Sequence, residues 1–81
     1  DQDEFYFIHL VDGQSKLLNR YLGDMMVMEG VRIVAIKRDE KIFYPRLDTM
    51  FQKDDSVIVF ASFARRTDLI RVFGKPSVPE V

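Results

Sequence analysis

The chain has 81 residues, 12 of them basic and 13 acidic, with no cysteine and one histidine. That length makes one domain at most. It buries only about 60–65% of its unfolded surface, so the core is thin, no disulfide reinforces it, and a partner subunit or a larger parent protein is a natural source of further stability. A net charge of −1 excludes long-range attraction to nucleic acid or acidic lipid, and no apolar run approaches the roughly 18 residues of a membrane span.

The chain opens with "DQDEFYFIHL", acidic where a secretory signal is basic, and it lacks an initiator Met, which reads as an excised fragment. Absence of cysteine fits a reducing compartment. Glu4–Val11 is short, aromatic-rich and closed by Asp12–Gly13, the pattern of a strand. Phe5, Phe7 and Val11 fall on one face and Tyr6, Ile8 and Leu10 on the other, so this strand is expected to be central in its sheet or covered on both sides. Across Ser15–Gly30 the period changes. Leu18, Leu22, Met25 and Met26 recur at helical spacing, with Ser15 as N-cap and Gly30 as C-terminal cap, although Gly23 weakens the helix.

Val31–Arg38 is a second strand, Asp39–Glu40 a turn, and Lys41–Tyr44 a third strand ended by Pro45, which has no N–H to donate. Lys37, Arg38 and Lys41 read as the charged solvent face of an edge hairpin. The stretch "RLDTMFQKDD" is a loop anchored by Leu47, Met50 and Phe51. Ser56–Ala61 is apolar almost throughout, so a central strand is expected. Ser62–Gly74 predicts a second helix with Phe63, Leu69, Ile70 and Phe73 facing inward, and residues 75–81 form a tail. The order β-α-β-β-β-α predicts an α+β domain: a mostly antiparallel sheet of about four strands with two helices packed on it.

Residues that carry chemistry are sparse. His9 has no cysteine or spaced histidine beside it and reads as a strand histidine with an ordinary hydrogen bond; a metal or catalytic role needs partners from elsewhere in the fold. Asp54–Asp55 and Asp39–Glu40 read first as turn formers, because Asp accepts local backbone hydrogen bonds. No phosphate-binding glycine loop and no nucleophile elbow occurs, and none of Ser15, Ser56, Ser62 and Ser77 has a neighbouring base, so no enzyme is expected. Arg65 and Arg66 read as a solvated pair, with phosphate binding as the sharper reading. Met25, Met26 and Met28 read as core packing, or as an adaptable protein–protein surface and candidate dimer interface.

One ordered set of features is more specific. "GVRIVAIKRDEKIFYPRLDTMFQKDDSVIVFASFARRTDLIRVFG" resembles the C-terminal lobe of RCK (regulator of potassium conductance) proteins, the TrkA-C family. The resemblance rests on Gly30, the strand Val31–Arg38, the charged turn Asp39–Lys41, Ile42–Pro45 with its closing proline, Asp48–Thr49, Asp54–Asp55, the apolar strand Val57–Ala61 and the helix end Leu69–Gly74. It places the family domain at residues 1–74. The first third departs from the family's "GK(S/T)L" opening: here Gly13 precedes Ser15–Lys16–Leu17 and a longer expected helix.

The resemblance implies a regulatory rather than catalytic module of potassium or other cation transport proteins. It implies a cytoplasmic domain held at the inner face of the membrane through its parent. Its partners are a second copy in a two-fold dimer and a membrane transport subunit, or the transmembrane part of the same chain. No cofactor is implied within the domain, but a cyclic dinucleotide or other small ligand is implied at the dimer seam. The family's seam pocket maps onto Arg32, Ile33, Val34 and Pro45, where Arg32 is the polar candidate, able to hold a phosphate bidentately; its plainer reading is a solvated strand arginine. The alternative is a pure dimerisation or interaction module that binds no ligand.

Overall fold

The computed structural model describes residues 3–25 and 29–73. Four strands, β1 (Glu4–Leu10), β2 (Val31–Arg38), β3 (Lys41–Phe43) and β4 (Ser56–Ser62), precede a 3₁₀ turn at Phe63–Arg65 and an α-helix, α1 (Arg66–Phe73). The strands form one sheet in the order β1-β4-β2-β3, and every neighbouring pair is antiparallel. The class is therefore α+β, as the pattern of strands predicts.

β4 is central because it is apolar on both faces, and its register fixes what each face carries. On the inner face the cross-strand rows are Phe5–Ala61–Val31, Phe7–Val59–Ile33 and His9–Val57–Ile36–Phe43. Val57, Val59, Ala61 and Ile36 are fully buried there, and Leu69 and Phe73 of α1 join the same core with Val11, Leu17 and Phe51 from the loops. Burying a side chain of this size contributes about 1.5–3 kcal/mol, so this one layer carries most of the hydrophobic stabilisation. α1 docks through aromatic edges: the Phe73 ring lies 5.9 Å from Phe7 and 5.4 Å from His9.

The β2–β3 hairpin turns on Asp39 (φ 53°) and Glu40 (φ 69°), both left-handed, the conformation that matches the twist of the flanking strands. β2 also carries a bulge: its pairing with β4 slips between Ile33 and Ala35, leaving Val34 as the extra residue. The slip reverses facing parity, so Ile33 and Ile36 share the inner face although three positions separate them.

The helix expected from Ser15 is absent from the described residues. Residues 15–20 form successive turns and Leu22–Asp24 a single 3₁₀ turn. The cause is a competing partner. Asn19 N–H donates to Phe51 O, Phe51 N–H to Arg20 O, Leu22 N–H to Thr49 O and Gly23 N–H to Leu47 O, so this segment spends its backbone groups on the loop 46–51. Gly23 fits that approach, since a Cβ there would stand 3.0 Å from the Leu47 carbonyl oxygen. Ser15 caps locally instead, its Oγ accepting from Leu17 N–H.

Two further expectations change. β1 lies at the sheet edge rather than at its centre, and Tyr6 and Ile8 are open to solvent. Phe63 is 51% exposed, because the chain after β4 makes a 3₁₀ turn before α1 begins and that turn rotates Phe63 off the buried stripe. The expected cap at Gly74 and the tail 75–81 lie outside the described residues.

Candidate functional site

The second face of the sheet has a different character. Its rows are Tyr6–Phe60–Arg32, Ile8–Ile58–Ala35 and Leu10–Ser56–Lys37–Ile42. Tyr6 is 70% exposed, Ile8 65% and Ile42 65%, with Leu10 and Val34 also exposed. A monomeric protein rarely presents so much apolar surface on one face without using it, and here residues of all four strands contribute to it. Arg32 stands in the first row with its guanidinium 5.5 Å from the Phe60 ring centroid. Among the described residues no carboxylate forms a salt bridge with Arg32. It is thus a cation held on an aromatic ring at the edge of an apolar face, with donors free for an anion.

The four residues mapped to the ligand seam do not share one face. Arg32 lies on the open face. Ile33 is half-buried on the inner face in the row of Phe7 and Val59, packed against the core. Val34 is the exposed bulge residue, and Pro45 is half-buried just past β3. Met25 is half-buried against the core, which accounts for it by packing; Met26 and Met28 lie outside the described residues.

A site that sequence reading missed lies at the far end of β2. Asp55 is fully buried, and its carboxylate accepts two hydrogen bonds from Arg38, Nε to Oδ1 at 2.8 Å and an Nη to Oδ2 at 2.7 Å. It also accepts from Gln52 N–H at 2.9 Å, while Arg38 donates to Met50 O at 3.0 Å and lies 5.1 Å over the Phe43 ring. The Arg38 pKa is raised, above all by the hydrogen bond to Asp55; burial opposes the rise, and the charges of Asp55 and Asp39 add to it by less. This fork ties the loop 46–55 to the hairpin; its ligands are all internal, so its role is structural. The available signal was an Arg at a strand end with an Asp–Asp turn later in the chain, but a turn explains that Asp pair equally well.

His9 keeps the ordinary role expected of it. It is buried, and its Nε2 lies 2.7 Å from Ser15 Oγ. Burial lowers its pKa below 6.5, opposed by the charge of Asp12. Three further arginines are occupied: Arg65 donates to Glu29 O and pairs with Asp68, Arg66 lies over the Phe63 ring, and Arg71 pairs with Asp68. Among the described residues no group of three His, Asp or Glu side chains is placed to hold a metal ion, and no helix is long and apolar enough to cross a membrane.

Comparison with known proteins fits this geometry. The TrkA-C domain pattern matches residues 7–74. The chain belongs to the TrkA-C domain family. TrkA-C domains are regulatory domains of potassium and other cation transport proteins, so this domain has its place among them. Its fold is also that of a solved structure described as "Structure of RCK domain with cda", with a TM-score of 0.64 at 18% identity, covering 88% of this chain and 97% of that one. No curated protein matches this chain in sequence.

Proposed function

We propose that this TrkA-C domain is the ligand-sensing, dimerising part of a potassium or cation transport protein, acting at the cytoplasmic side of the membrane through its parent. It has no catalytic task. The observation that carries this reading is the open apolar sheet face with Arg32 set on Phe60 at its margin. Such a face suits a flat, partly aromatic, anionic molecule: apolar rows take the rings and Arg32 takes a phosphate. The family membership and the likeness to an RCK domain solved with cda support a cyclic dinucleotide as the class to test first.

Regulation then follows from linkage. A ligand bound between two copies favours whichever arrangement of the parent presents both half-sites correctly. It shifts transport only by the ratio of its affinities for the two arrangements.

Titration calorimetry of the domain with cyclic dinucleotides and mononucleotides tests this. Saturable binding is expected, weakened at least about tenfold by Arg32→Ala, since a charge-assisted hydrogen bond to phosphate contributes about 1.5–3 kcal/mol. A panel that gives no heat at any concentration leaves the second reading, a module that only joins copies of its parent; the partner-ready apolar face favours it and requires no ligand.

A further inference from the structure

His9 sits where three elements meet. It lies in β1, is 5% exposed, and has Val57 of β4 opposite it. The Phe73 ring at the end of α1 lies 5.4 Å away, and Ser15 Oγ of the turn after β1 lies 2.7 Å from its Nε2. Ser15 Oγ also accepts from Leu17 N–H, and the neighbouring Lys16 Nζ donates to Arg71 O at 3.0 Å. The end of α1 is thus fastened to the sheet and to the turn 12–17 around a single imidazole. α1 has eight residues, and a helix that short is marginal without its docking contacts.

The neutral ring suits this place. With Ser15 Oγ already accepting from Leu17 N–H, its own proton can go to Nε2. A second ring proton turns Nε2 into a donor, displaces that hydroxyl proton and sets a full charge between the Phe73 ring and Val57. Among the described residues, the charged groups on the surrounding elements compensate little. The turn after β1 brings Asp12, whose field favours the charged ring, and Lys16, held at Arg71 O. α1 brings Asp68 and Arg71, paired with each other. The approach to β4 brings Asp55, tied to Arg38, and the far end of β1 brings Glu4. The remaining members of the His9 row, Val57, Ile36 and Phe43, are apolar.

We propose that His9 is a proton-operated latch: when its ring becomes charged, the end of α1 and the turn 12–17 loosen from β1 while the sheet itself stays paired. The sheet is spared because β1 and β4 are joined by backbone pairing from Glu4 to Leu10, in which the imidazole has no part. Burial lowers the His9 pKa from 6.5, opposed by Asp12. Loosening re-wets the ring and returns its proton affinity toward that of the free side chain. Docking is therefore complete above pH 6.5 and weakens as pH falls below it. The latch is independent of the ligand proposed for the outer face, because His9 lies on the inner one.

The test is amide exchange of the 81-residue chain at about pH 8 and about pH 5, corrected for intrinsic rates, with its one imidazole titrated by NMR. Protection of the Arg71–Phe73 amides and of Leu17 N–H is expected to fall several-fold more than that of Val57 and Val59. In His9→Gln that excess loss is expected to disappear. In Asp12→Asn, which keeps an oxygen for Gln14 N–H, the loss is expected to move to lower pH, because the charge that favours the imidazolium is gone. Equal loss of protection in α1 and β4 overturns the latch, since acid then acts on the whole domain. So does an α1 loss that survives His9→Gln, or an imidazole that titrates at or above 6.5. The contrast between α1 and β4 in the unmodified chain decides the matter even where a variant fails to fold.

Discussion

The two faces of the sheet are built from the same strands and nearly the same residue types, yet they differ in what surrounds them. On the inner face Val57, Val59, Ala61 and Ile36 are fully buried beneath α1 and the loops, and His9 is buried with its ring nitrogen satisfied. On the outer face Tyr6, Ile8 and Ile42 stand open. Apolarity alone does not distinguish a core from a contact surface. The distinction comes from which side the connections cross, and in this domain the loop 11–25, the loop 46–55 and α1 all supply the inner core. The contrast makes one face a reservoir of stability and leaves the apolar residues of the other open to solvent.

The comparison predicts a gradient of mutational cost. Phe51→Ala removes a fully buried ring that holds the inner core between the loops, and is expected to cost about 3–5 kcal/mol, read from the urea unfolding midpoint. A loss below about 1 kcal/mol contradicts its assignment to the core. Arg38→Ala leaves the Asp55 carboxylate buried without its cation and is expected to cost about 3 kcal/mol, at the lower end for such pairs because Arg38 itself keeps some contact with water. The companion substitution Asp55→Asn, which keeps the Gln52 contact available, is expected to cost less.

A pH series sharpens the comparison further. The His9 pKa is lowered by burial from 6.5, so the folded state binds its proton less readily than the unfolded chain does. The sign follows: below pH 6.5 the unfolded state takes up more protons, so stability falls as pH drops through the window between 6.5 and the depressed native value, and this contribution is flat above it. The urea midpoint between pH 5 and 8 is expected to show that slope, and His9→Gln to remove it. The smallest effect belongs to the outer face. In the isolated domain Ile8→Ser is expected to change stability by no more than about 0.5 kcal/mol, although the residue is as apolar as any in the core. A cost like that of Phe51→Ala would show that the outer face is covered within the chain itself.

How much could be read in advance follows the same division. The hairpin was fully legible: Val31–Arg38 alternates, Asp39–Glu40 can adopt left-handed backbone, and Pro45 forbids continuation, all local properties. β4 was legible as central from its near-continuous apolar run, although β1, also apolar on both faces, shows that such a run does not exclude an edge. The segment after Ser15 misled because helical spacing of Leu18, Leu22 and Met25 is necessary for an amphipathic helix but not sufficient; the loop 46–51 offered its backbone groups better partners. Of the candidate ligand residues, alternation puts Arg32 and Ile33 on opposite faces. The bulge at Val34, invisible in sequence, then reverses that alternation for the rest of β2.

The amino-acid order by itself determined the strands, the turn chemistry, the thinness of the core and the family to which the domain belongs, because each depends on neighbours a few positions apart or on an ordered pattern of such neighbours. Only the tertiary structure decided that β1 lies at an edge, that Asp55 is the buried counter-ion of Arg38 rather than a turn residue, and which apolar face was left uncovered. Those outcomes depend on contacts between segments far apart in the chain, where competing hydrogen-bond partners and the paths of the connections, not local preference, set the free energy.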